Sequence, residues 1–179
     1  MPDILIQKEN SQLRRMGKND LDMVRGWRNH LNVRRYMYTQ HEISSTEHLA
    51  WFERERQDRS KHLLIFEHDK TPKGYLILNS NDGTPIADWG FYLAPDSERG
   101  IGKKLGELAL EYGFLSLKLH KICGQALAFN EKSIGFHQRL GFSQEGRLID
   151  QHYDGETFHD VCLFGLLAQD WIRIQNKDD

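Results

Sequence analysis

Cysteine is almost absent from this 179-residue chain, and the two that occur form no chemical pattern. Cys123 and Cys162 are too few for a disulfide framework and lack C-x-x-C spacing. They read as reduced residues of an intracellular, cytoplasmic protein. Proline is scarce too: Pro2, Pro72, Pro85 and Pro95 punctuate turns or strand ends and interrupt no helical pattern. No apolar run approaches the ~18 residues of a membrane helix. Residues 1–11 are polar and carry Asp3, Lys8 and Glu9, so no targeting segment is expected there. Nor is charge of one sign in surplus. With 24 Lys and Arg against 26 Asp and Glu, the formal net charge is -2, which gives neither nucleic acid nor a membrane surface a basic excess to meet. Nine histidines occur, but none has H-x-H or H-E-x-x-H spacing, so no metal site is expected.

What is present is enough for a core. Hydrophobic residues make up 39% of the chain, and there are 15 glycines. With neither repeats nor a linker, residues 1–179 read as one domain. A strand is expected around Leu13 to Met16, then a helix from about Asn19 to Asn29. A second helix starts at Ser44, where Ser44-x-x-Glu47 has the form of a capping box. Strands follow at His62 to Glu67, Gly74 to Asn79 and Ala87 to Leu93, the last stopped by Pro95. A long helix then places Ile101, Leu105, Leu108, Ala109, Tyr112 and Leu115 on one face. A strand at Lys121 to Ala128, a short helix at Glu131 to Leu140, and two strands flanking the Asp154-Gly155 turn complete the pattern. The order β-α-α-β-β-β-α-β-α-β-β describes a mixed α/β domain with one sheet.

Two stretches carry chemistry. Glu98-Arg99-Gly100-Ile101-Gly102-Lys103-Lys104 opens the long helix. Alternate glycines let a ligand approach the backbone, the helix start offers N–H groups, and three cations stand nearby: a cradle for a pyrophosphate. A G-x-G alone is an ordinary helix start, and neither a Walker loop nor a full dinucleotide fingerprint is present. The second stretch, Asn130 to Phe142, begins where a strand gives way to a helix and closes on Gly141. Asn130 there has the plain role of an N-cap.

Jointly, the two stretches resemble the GCN5-related N-acetyltransferase (GNAT) superfamily over Leu13 to Leu167. The superfamily's Q/R-x-x-G-x-G/A loop aligns with Ser97 to Gly102, and its N-x-x-A/S-I signature ending in G-F aligns with Asn130 to Phe142. The resemblance implies the GNAT fold, a mixed and mostly antiparallel sheet flanked by helices, and acetyl-CoA as co-substrate. It further implies pyrophosphate contacts from Arg99, Gly100, Ile101, Gly102, Lys103 and Lys104. The pantetheine arm would run along Phe91 to Leu93 and meet Asn130 and Ser133. Ser97 stands where the family has Gln or Arg. His137 stands where many relatives place the tyrosine that protonates the departing thiolate, and a histidine can serve as that acid.

The N-terminal third narrows the resemblance. Arg28-Asn29-His30, Met37-Tyr38, His48 and the strand from Gly124 to Asn130 look like the N-acetyltransferases of the pseudaminic-acid pathway. Those enzymes acetylate the 4-amino group of UDP-4-amino-4,6-dideoxy-N-acetyl-β-L-altrosamine, on the way to a sugar that decorates flagellin. Arg28, His48, Trp51, Asn79, Ser80 and Tyr92 would then hold a sugar-nucleotide substrate. Arg28 beside the apolar stripe of its helix asks for a partner, and an anionic substrate group is one option; a snorkelling arginine at a helix end is the other. With no Ser-His-Asp or Cys-His arrangement, direct attack by the amine is expected, with His137 as acid and Tyr92 near the sugar. The base stays open between a relayed water and His48, with Asp88 behind them. A ribosomal-type N-terminal acetyltransferase and a non-catalytic acetyl-CoA-binding module are the alternatives. A homodimer is compatible with the sequence.

Overall fold

A computed structural model describes residues 3–80 and 83–178. Eight strands form one sheet: β1 (Ile4–Lys8), β2 (Ser11–Arg15), β3 (Lys61–His68), β4 (Thr71–Ser80), β5 (Ile86–Leu93), β6 (Lys121–Leu127), β7 (Ser143–Tyr153) and β8 (Phe158–Leu167). Their spatial order is β1-β2-β3-β4-β5-β6-β8-β7, and every neighbouring pair is antiparallel except β5 with β6. Helices α1 (Leu21–Asn29), α2 (Leu31–Arg34) and α3 (Ser45–Glu55) precede β3. Helix α4 (Ile101–Glu111) follows β5, α5 (Glu131–Arg139) follows β6, and α6 (Ala168–Asp178) ends the chain. This is the mixed, mostly antiparallel α/β architecture expected of the GNAT fold. No helix among the described residues is long and apolar enough to cross a membrane.

The sheet is buried on both faces, which is why β3 reads as the unbroken run Leu63-Leu64-Ile65-Phe66 rather than as an alternation. One face carries the main core, where Leu105, Leu108 and Ala109 of α4 and Tyr112 just after it pack on Leu13, Leu64, Leu76 and Trp89. The opposite face packs Leu63, Ile65 and Tyr75 against Val24 of α1 and Phe52 of α3. At the start of that layer, Arg14 donates to both carboxylate oxygens of Asp20 at 2.8 Å and to Glu67 at 2.7 Å. This buried trio fixes β2, the turn into α1 and β3 together.

Strand β1, α2 and α6 were not expected from the sequence. β1 is a half-exposed edge strand among polar residues, and α6 is tied down by Trp171, which packs on Phe114 at 5.5 Å. The expected helix at Asn19 begins as a short 3-10 turn, Lys18–Asp20, before α1 takes over. Half of the expected capping box forms: the Glu47 amide donates to Ser44 Oγ at 3.2 Å, while the Glu47 carboxylate turns to His41 instead.

Candidate functional site

The site is made by a failure of pairing. β5 and β6 run parallel and share only three residue pairs, Ile86 to Asp88 with Lys121 to Cys123. Beyond them the strands splay. Residues 89–93 stay paired to β4 on one side, and residues 124–127 stay paired to β8 on the other. The two facing backbone edges open into a cavity of about 690 Å³ whose lining includes Trp89, Phe136, His137, Tyr36 and Tyr38. Unpaired strand edges can receive an extended amide-containing chain by hydrogen bonding alone.

At one end of this cavity lies the α4 N-terminus. Gly100 caps it at φ +96°, a left-handed conformation suited to glycine. The Ile101 amide donates to the Glu98 carbonyl at 3.3 Å and the Lys104 amide to the Gly100 carbonyl at 3.3 Å, leaving the Gly102 and Lys103 amides as the helix's open donors. The basic side chains are not gathered around them. Lys103 reaches Glu107 at 3.5 Å, Lys104 reaches His68 at 3.4 Å, and Arg99 is exposed to solvent. Ser97 donates to the Lys73 carbonyl at 3.2 Å. Ile101 is a core residue, and the side chains of Phe91 and Leu93 also pack on the core, so their backbone edge is what they present to the cavity. Asn130 Oδ1 accepts the Ser133 amide at 3.2 Å, the N-cap of α5, and both residues line the cavity.

His137 is not placed to be an acid, contrary to the expectation from its alignment. It is 1% exposed, and both ring nitrogens are engaged. Trp89 Nε1–H donates to its Nε2 at 3.0 Å, and Nδ1 bonds the Ser133 carbonyl at 2.8 Å. Those partners assign the proton to Nδ1 and leave Nε2 as an acceptor. Burial also lowers its pKa from the usual histidine value, so the ring stays neutral. Gly124 makes the arrangement fit: a Cβ there would lie 2.4 Å from His137 Nε2 and 2.6 Å from Trp89 Nε1.

On the opposite face of the sheet, α1, α3 and the loop between them enclose a second cavity of about 460 Å³. Arg28, His48, Trp51 and Tyr92 come together in it. Asn79 and Ser80 do not: they sit at the far end of β4, paired with Asp88 and Ala87, and line neither cavity. The loop is clamped, because Asn29 donates to the Ile43 carbonyl and accepts its amide, both at 2.8 Å. Tyr38, further along the loop, donates to Gln125 on β6 at 2.8 Å.

This cavity concentrates unsatisfied polar atoms. Arg28 donates through Nη2 to the Thr39 carbonyl at 2.7 Å, while its Nη1 is buried without a hydrogen-bond partner. His48 is 4% exposed, stacks on Trp51 at 5.0 Å and 13°, bonds the Leu21 backbone, and leaves Nδ1 buried and unpartnered. Burial, then nearby Arg25, lowers its pKa, so it too is neutral near pH 7. The buried Tyr75 hydroxyl is the third such atom. Tyr75 was not expected at the site; within Gly74 to Asn79 it reads as one more strand residue. Tyr75 and Tyr92 face each other across β4 and β5 at 5.0 Å and line both cavities, so the two spaces meet there.

The acetyltransferase (GNAT) domain family matches residues 11–143. Among characterised proteins, the chain is 25% identical over 158 residues to spermidine N(1)-acetyltransferase of Escherichia coli K12, covering 86% of this chain and 85% of that protein. It is 26% identical over 169 residues to the Vibrio cholerae spermidine N(1)-acetyltransferase, covering 92% and 98%. The crystal structure of the Vibrio cholerae enzyme with CoA and spermine superposes with a TM-score of 0.84 at 24% identity, over 92% of this chain and 99% of that one. That likeness bears on the fold.

Proposed function

Because the chain belongs to the GNAT acetyltransferase family, and so is an acetyl-CoA-dependent N-acetyltransferase, we propose that its acceptor amine is carried on an anionic sugar nucleotide. The sequence resemblance specifies the 4-amino group of UDP-4-amino-4,6-dideoxy-N-acetyl-altrosamine, a step towards pseudaminic acid and glycosylated flagellin. The observation that carries the reading is the unpartnered Nη1 of Arg28, a residue that lines the acceptor cavity.

A buried guanidinium N–H without an acceptor costs free energy that a bound phosphate oxygen would return as a charge-assisted hydrogen bond. Arg54 lines the same cavity, with its guanidinium paired to Glu55 at 2.8 Å. The one carboxylate in the cavity lining, Glu47, is engaged by His41 at 2.9 and 3.1 Å. A polyamine needs the opposite charge pattern, with carboxylates meeting ammonium groups. The spermidine specificity of the named relatives therefore finds little complement here.

In this reading acetyl-CoA enters through the splay. Its pyrophosphate lies at the Gly102 and Lys103 amides, its pantetheine arm runs along the open edge of residues 91–93, and Asn130 and Ser133 flank it. The sugar nucleotide occupies the second cavity, with phosphate on Arg28, a ring against Trp51, and the 4-amino group directed towards Tyr92. The amine attacks the thioester carbonyl carbon, the C–S bond breaks, and the nitrogen's surplus proton leaves through water or the unpartnered Nδ1 of neutral His48.

Thiol release from acetyl-CoA, run in parallel with the UDP-4-amino sugar, spermidine and a peptide bearing a ribosomal-protein N-terminus, tests the assignment. Release with the sugar nucleotide alone is expected. Faster release with spermidine would sink the anionic-acceptor reading while leaving the acetyltransferase intact, and release with the peptide alone would favour the ribosomal type.

A further inference from the structure

We infer that Tyr75 is a catalytic hydrogen-bond donor to the thioester sulfur, taking over at the junction of the two cavities the place that His137 cannot fill. The inference rests on acetyl transfer at this site and not on which amine accepts.

The reaction requires a donor at the departing sulfur, because negative charge gathers there as the C–S bond breaks. His137 occupies the sequence position from which relatives supply one, but Trp89 and the Ser133 carbonyl use both of its nitrogens. A replacement must reach the donor cavity and the acceptor cavity at once. Tyr75 and Tyr92 do so, and of the two, Tyr75 carries the buried hydroxyl with no partner in the protein. The residue is 5% exposed and packs between Trp51 at 6.0 Å and Tyr92 at 5.0 Å, so the ring is held while its O–H waits for an acceptor. A buried hydroxyl left in this state destabilises the free protein, and one supplied with a ligand acceptor does not.

Burial holds the Tyr75 phenol well above the usual tyrosine pKa. It therefore keeps its proton through the reaction and acts by hydrogen bonding. The N–C bond forms, the C–S bond breaks, and sulfur takes the electron pair as a thiolate bonded to the Tyr75 O–H. The proton lost from nitrogen passes to solvent, so the balance closes without ionising the tyrosine.

The test compares wild type with Tyr75→Phe using CoA itself, without any acceptor. At a fixed, mildly alkaline pH, the ultraviolet absorbance of the thiolate reports how much of the bound CoA is ionised. Loss of the donor should lower the thiolate-to-thiol ratio roughly tenfold, and with any acceptor the wild type uses, kcat should fall roughly 10- to 100-fold while KM for acetyl-CoA changes less than about twofold. The melting temperature of the free protein should stay level or rise, because no hydrogen bond is removed, so a fall in kcat is not a folding defect. An unchanged thiolate ratio would overturn the inference. So would a lower melting temperature with kcat preserved, or a loss confined to acceptor KM. Failure of the sugar nucleotide as acceptor leaves the CoA measurement standing and bears only on the acceptor.

Discussion

The two cavities that meet at Tyr75 and Tyr92 are built on opposite principles. Away from the Tyr75 junction, the cavity between β5 and β6 has these polar side chains satisfied by the protein: His137 by Trp89 and Ser133, Asn130 by the Ser133 amide, Ser97 by the Lys73 carbonyl. What remains open is backbone. In the cavity beneath α1 and α3, side chains remain open, and three of the five unpartnered buried polar atoms among the described residues belong to residues that line it: Arg28 Nη1, His48 Nδ1 and Tyr75 Oη. A ligand presented in the same form at every turnover can be read by fixed amides, whereas selectivity for one acceptor needs side chains that lack a partner until it arrives.

The sharpest way to break the contrast is to disturb the satisfied side. Gly124→Ala forces a methyl group into the Trp89–His137 bond between two packed rings. The cost should be about 3 kcal/mol of folding free energy, read as a lower urea midpoint. If stability stays unchanged, that network is not as rigid as its packing indicates.

On the unsatisfied side, Arg28→Met should leave folding nearly intact and raise KM for the UDP-sugar roughly 10- to 100-fold, with KM for acetyl-CoA within about twofold. Equal changes in both constants would merge the two cavities functionally.

A smaller effect separates the two buried histidines. Both His48 and His137 have pKa values lowered in the fold, mainly by burial. Their stability contribution is complete above the unfolded-state value of about 6.5 and is lost as pH falls from there through the folded value, because the unfolded chain then binds more protons. The urea midpoint should accordingly drop between about pH 7 and about pH 5. Adding UDP should flatten the His48 share, since an anion on Arg28 relieves its repulsion, and leave the His137 share untouched. Identical curves with and without UDP would deny the anion its place.

The smallest change expected is for Glu47→Gln. Its carboxylate is exposed and already paired with His41, so acceptor KM should move less than about threefold. A large rise with spermidine as acceptor would reverse the charge argument.

The satisfied side was largely legible in the sequence, because backbone recognition leaves local marks: alternate glycines at a helix start, and an asparagine capping the next helix. The alignment of His137 with an acid was misleading for a reason no local pattern carries, since its partner Trp89 lies 48 positions away. The unsatisfied side was legible in part. Arg28 stood out beside the apolar stripe of its helix, while His48 and Trp51 entered through the family resemblance. Tyr75 had only its alternation with Ile77 along β4, and its role depends on α3 folding over the sheet. Asn79 follows the same alternation past the site to the strand's far end, with Ser80 next to it on the other face. The edge strand β1 escaped because its apolar residues Ile4, Leu5 and Ile6 run together without alternation; α6 does carry helical spacing, with Ala168, Trp171 and Ile174 on the core side.

Positions 89, 124 and 137 also constrain how this sequence can change over time. The Trp89–His137 bond passes beneath a glycine with no room for a methyl group. A tyrosine at position 137 would orphan the Trp89 N–H, and any side chain at position 124 would collide with both rings. Single steps away from the trio are therefore deleterious in isolation, while coordinated replacements are not. The three sites form one epistatic unit, so a lineage leaves this arrangement only by crossing a fitness valley or by moving more than one residue together.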